Sequence, residues 1–79
     1  MAFQKFSELY DKTNYIDSCR FWMMLKMKFK SEHWDKRYEM FLLDFKKYLL
    51  TLNHNINTVC NEIKSVQLSA YRTIPQSFF

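Results

Sequence analysis

Four side chains have the chemistry to bind a metal or act as a nucleophile and base: Cys19, Cys60, His33 and His54. Thiolate and imidazole are common zinc ligands, and a structural zinc site takes four of them. The spacing of these four resembles no ligand pattern. There is no C-x-x-C pair, and the two cysteines are 41 residues apart. Catalysis by a Cys–His pair needs an orienting third group and a cleft, for which a 79-residue helical chain has little room. The residues therefore predict no metal, no cofactor, no small-molecule substrate and no enzyme. They predict two reduced thiols, with Cys60 packed beside a helix seam.

The chain contains no glycine. Phosphate-cradling loops, the dinucleotide fingerprint, the nucleophile elbow and the EF-hand loop all need glycine, because the backbone must turn sharply or approach a ligand closely. All of them are excluded together. Tight β-hairpins lean on glycine too, which points away from a β-rich fold.

The net charge of +4 is concentrated in one stretch. Between residues 20 and 47 lie eight cations, Arg20, Lys26, Lys28, Lys30, Lys36, Arg37, Lys46 and Lys47, against four acids, Glu32, Asp35, Glu39 and Asp44. Aromatic residues are interleaved with them. Such a region could neutralise phosphates and stack on bases. On a helix, however, Lys26, Lys28 and Lys30 point in different directions, and a solvated face is the plainer reading. An acidic protein partner is the third.

A second set is apolar. Met40, Leu43 and Leu50 lie on the outer side of the same region, away from the main seam. They predict either contact with the N-terminal arm or first helix, or a face for another protein. At the other end stand Phe78 and Phe79. Gln67-Leu68-Ser69-Ala70-Tyr71 resembles the pentapeptide by which bacterial replication factors bind the sliding clamp, with Ala70 and Tyr71 where that motif prefers Leu and Phe. Arg72 to Phe79 is similar to the clamp-binding box of archaea and eukaryotes through Phe78-Phe79, but Arg72 replaces its leading Gln and Pro75 its aliphatic residue. The two resemblances cover five and eight of the 79 residues. The alternative is a tail whose Ile74, Phe78 and Phe79 fold back on the protein.

The elements that must position these groups follow from periodicity. The chain reads as one domain, residues 1–79, of all-α class. Residues 2–11 carry Phe3, Phe6 and Tyr10 at helical spacing and form a short helix or arm. Asp11 to Asn14 is turn-like, with Asn14 as the cap of a helix over about 15–30. The alternation of Phe21, Met23, Leu25, Met27 and Phe29 is a strand signal. The Met, Leu and Lys content, the lack of β-branched residues from Arg20 to Lys30 and the lack of a partner strand favour helix. The alternative is a strand pairing across a dimer. Ser31 suits an N-cap, with cations before it and acids after it.

The clearest signal runs from Tyr38 to Val66. Tyr38, Leu42, Phe45, Leu49, Leu52, Ile56, Val59, Ile63 and Val66 are spaced alternately four and three apart. This is a heptad seam. It predicts a helix over about 32–52 that either continues to residue 70 or turns at 53–57 and resumes over 55–70, leaving a tail at 71–79. Asn53-His54-Asn55-Ile56-Asn57 favours the turn. Unbroken phase favours one long helix, and the two readings stay open. The seam residues Leu42, Phe45, Leu49, Leu52, Ile56, Val59, Ile63 and Val66 predict coiled-coil-like self-association, as a homodimer.

No stretch is long and apolar enough to span a membrane. Met1 to Lys5 lacks the basic start and apolar middle of a secretory signal. These features predict a cytoplasmic or nuclear protein. With 15 aromatics, more than so small a core can hide, the chain is expected to keep an apolar surface for a partner. The expected role is that of a small non-enzymatic interaction factor that binds and modulates a macromolecule. The composition suits a phage, viral or plasmid accessory factor. The alternative is a nucleic-acid-binding helical dimer using the basic 20–47 region.

Overall fold

The computed structural model describes residues 10–79. The expected helix or arm over residues 2–11 lies almost wholly outside them. Three helices follow in order, α1 (Lys12–Phe29), α2 (Glu32–Leu52) and α3 (Ile56–Arg72), and a 3₁₀ turn, Gln76–Phe78, closes the chain. Among the described residues there is no strand. The alternation at 21–29 is resolved as helix. A helix does not sort alternate residues to opposite faces, so its apolar residues are divided among the neighbours of α1. Tyr15, Ile16, Cys19, Trp22 and Met23 meet the core, while Phe21, Met24 and Leu25 line a cavity with Phe78.

Each helix boundary has a local cause. α1 starts three residues before the expected position because Asp11, not Asn14, is its N-cap. The Asn14 N–H donates to Asp11 Oδ1 at 3.1 Å. α1 stops at Lys30, whose φ of 47° and ψ of 45° are left-handed. A glycine would adopt this conformation without strain, and lysine does so at some cost. The Lys30 N–H still reaches the carbonyl of Lys26 at 3.0 Å. Ser31 occupies the cap position of α2, but its side chain makes no capping hydrogen bond. Glu32 and Asp35 in the first turn suit the helix dipole instead.

The break between α2 and α3 settles the question left open by the heptad. The helix ends at Leu52. Asn53 Oδ1 accepts from the Asn55 N–H at 2.9 Å. Asn55 Oδ1 in turn accepts from the N–H groups of Asn57 and Thr58, at 3.0 and 3.3 Å. Two asparagines thus turn the chain and cap the next helix. Leu52 and Ile56 are four residues apart whether or not the backbone between them is helical. The phase therefore runs on through a turn, and the long-helix reading is overturned.

The result is an up-down-up bundle. α1 and α2 are antiparallel: the Tyr15 ring stacks on Phe45 with centroids 4.4 Å apart, while Trp22 meets Trp34 at 6.3 Å. α1 and α3 are parallel: the Lys12 ammonium lies 3.0 Å from Glu62, and Arg20 donates to Thr73 Oγ1 at 2.6 Å. The heptad row, folded in half, lines the middle of the bundle. Phe45, Leu49, Val59 and Val66 are buried within the one chain, with Cys19, Ala70 and Tyr38 beside them. No helix among the described residues is long and apolar enough to cross a membrane.

Candidate functional site

The bundle distributes the chemistry-bearing residues over separate places. Cys19 is fully buried on α1, and burial pushes its thiol pKa up. Its Sγ lies 3.8 Å from Tyr38 Oη. Tyr38 Oη also accepts from Gln67 Nε2 at 3.1 Å. Desolvation pushes the Tyr38 phenol pKa up to about 12, against the hydrogen bond from Gln67, which lowers it. This is a polar link between all three helices inside the core. Cys60 is half-buried on α3. His33 packs edge-on against Trp34, and His54 is exposed in the α2–α3 connection. Among the described residues no three His, Cys, Asp or Glu side chains gather at one point.

The eight cations of residues 20–47 do not form one stripe. Arg20 sits between α1 and α3, ion-paired with Asp17 at 2.6 Å. Lys26 lies over the Tyr38 ring, 5.0 Å from its centroid. Lys28 and Lys30 are exposed at the end of α1. Lys36 pairs with Glu32 one turn away. Arg37 shares the α1–α2 groove with Trp22, Met40, Phe41 and Asp44. Lys46 lies on the α2–α3 groove, and Lys47 is exposed.

The apolar residues expected to meet a partner are likewise divided. Met40 belongs to the α1–α2 groove and Leu43 to the α2–α3 groove. Leu50 is half-buried against the core. Phe78 is half-buried, and Phe79 is 66% exposed with its ring against Tyr71 and Phe78. The tail is anchored by Ile74, which is buried. The pentapeptide Gln67–Tyr71 is part of α3, with Ala70 fully buried and Gln67 bound to Tyr38. It is a piece of a bundle helix, with Leu68 and Tyr71 on its exposed side.

Two concave surfaces stand out. The larger, about 540 Å³, caps the end of the bundle and is lined by Lys26, Met27, Lys30, Asp35, Phe78 and Phe79. Its lining mixes both charges with apolar groups. The other is the outward groove between α2 and α3, about 350 Å³. Leu42, Leu43 and Lys46 come from α2, and Cys60, Ile63, Lys64 and Gln67 from α3. The lining is almost wholly apolar, and it faces away from α1. The heptad explains this surface: Leu42 and Ile63 are seam residues displaced to the edge of the core, half-buried with one side open. Neither Lys46 nor Lys64 has an ion-pair partner among the described residues. The sequence placed Leu42 and Ile63 in the seam, Leu43 on a partner face, Lys46 in the basic stretch and Cys60 beside the seam, but it joined none of these into one groove and left Lys64 unremarked. Only the turn at Asn53–Asn55 brings the two walls together.

Comparison of the chain with protein-family models, with curated proteins and with solved structures finds no match.

Proposed function

We propose that this protein is a non-enzymatic interaction factor that binds and modulates a protein partner through the α2–α3 groove. The observation that carries this reading is an apolar groove, bounded by Leu42, Leu43 and Ile63, that the described residues leave uncovered on a bundle whose core they already fill. A groove between two helices is a common seat for a peptide or helix.

A homodimer through the heptad row has less to draw on. Phe45, Leu49, Val59 and Val66 are buried within the chain, which leaves the flanks Leu42, Leu52, Ile56 and Ile63. The nucleic-acid reading is weaker still, because Arg20, Arg37 and Lys46 lie in three different inter-helix grooves or edges.

The test is photo-crosslinking in the source cells, with a photoreactive residue in place of Leu43 and, as a control, in place of Thr13 at the exposed start of α1. A discrete protein adduct at position 43 and none at position 13 is expected. Adducts to nucleic acid, or no adduct at 43, would overturn the proposal.

A further inference from the structure

Resting on that reading, we infer that the occupant of the α2–α3 groove is an acidic amphipathic helix, which lies against α2 and α3 on the side opposite α1 as a fourth helix of the bundle. Two features define its chemistry. The floor is a strip of aliphatic side chains from two antiparallel helices, the surface that a third helix covers in ordinary bundle packing. The two cations stand on opposite walls, Lys46 on α2 and Lys64 on α3. A helix lying between them has its apolar stripe on Leu42, Leu43 and Ile63 and presents its two flanks to the two lysines. Carboxylates on both flanks meet ammonium groups that have no ion-pair partner among the described residues, the arrangement that sets partner choice in helix pairs.

The same charges disfavour a second copy of this chain. A two-fold contact of the groove with itself gathers two copies each of Lys46 and Lys64 into one interface, between chains already at +4. Like charges facing each other across an interface reject that partner.

The probes are three synthetic peptides of about five helical turns. They share one leucine stripe and differ only in their flanks, which are all Glu, all Gln or all Lys. Binding to the full chain is followed by fluorescence anisotropy at low and at physiological salt, with amide chemical-shift mapping. The Glu peptide is expected to bind about tenfold or more tightly than the Lys peptide at low salt. The gap should narrow as salt rises. Shifts should cluster at Leu43, Cys60 and Lys64, and the double variant K46E/K64E should reverse the preference. If that variant unfolds, the exposed K64E alone should cut the preference by about half on a logarithmic scale.

Equal affinity for the three peptides, shifts centred elsewhere, or tighter binding of a single-stranded oligonucleotide through Lys46 and Lys64 would each overturn the inference. A protein adduct at position 43 alongside equal peptide affinities removes the acidic helix and leaves the protein-binding reading standing. Absence of that adduct removes both.

Discussion

Tyr38 shows how one side chain can be both core and link. Its ring fills a heptad position, and its hydroxyl meets α1 through Cys19 and α3 through Gln67. The phenol pKa is pushed up to about 12, so the folded chain holds the proton more tightly than the unfolded one does. Stability from this source is complete below the ordinary tyrosine value and is lost as pH rises from there toward 12. Tyr10 and Tyr15 are shifted in the same direction by burial, so their contributions add. Denaturation measured at rising alkaline pH should show falling stability. Tyr38→Phe should cost about 1 kcal/mol at neutral pH, by leaving Gln67 unpaired, and should flatten the alkaline decline. The thiols offer a second check. A disulfide-exchange reagent should modify half-buried Cys60 readily, and fully buried Cys19 only as the chain unfolds. Equal rates at the two thiols would contradict the packing of α1.

At the scale of the element, the helix ends are unequal. Asn55 holds two N–H groups of α3, whereas the Ser31 side chain holds none of α2. Asn55→Ala should therefore cost about 1 kcal/mol, and Ser31→Ala only a few tenths. Thermal or urea denaturation of the two variants checks this directly. The tail behaves as an element too. Ile74 is buried and Phe78 lines the cavity under Phe21, Met24 and Leu25. Deleting residues 74–79 should destabilise the bundle by about 2–4 kcal/mol, the scale of losing a buried aliphatic side chain with its packing. An unchanged melting temperature would show that the tail is a free peptide.

For the whole molecule, the decisive quantity is how little stability a chain of 79 residues has to lose. At roughly 0.1 kcal/mol per residue, it cannot absorb an unpaired charge in its centre. Leu49→Asp should unfold the chain, because Leu49 is fully buried. Ile56→Asp should not, because Ile56 is 45% exposed and begins α3, where an acid suits the helix dipole. Circular dichroism distinguishes the two. Light scattering on Ile56→Asp then separates folding from assembly. A drop in mass with the fold intact would place a self-association surface on the flank of the seam, and an unchanged monomer would place the seam wholly inside one chain.

Much of this was legible in the residues. The heptad marked half of its row as core, because a helix must turn one stripe inward whatever it packs against: Phe45, Leu49, Val59 and Val66 are buried, whereas Leu42, Leu52 and Ile63 are half-buried and Ile56 is 45% exposed. The lack of glycine and the Met, Leu and Lys content determined the helical class, since these are local backbone and side-chain preferences. The asparagines of 53–57 marked the turn but did not decide it, because the four-residue step from Leu52 to Ile56 keeps phase either way. Tertiary structure alone decided that Phe45, Leu49, Val59 and Val66 face their own chain. A stripe that closes on its own chain and one that closes on a second copy have the same periodicity, and only the reversal at Asn53–Asn55 distinguishes them. The same reversal sets Leu43 opposite Cys60 and Lys46 across a groove from Lys64. That surface exists in no single helix, so no spacing along the chain could announce it.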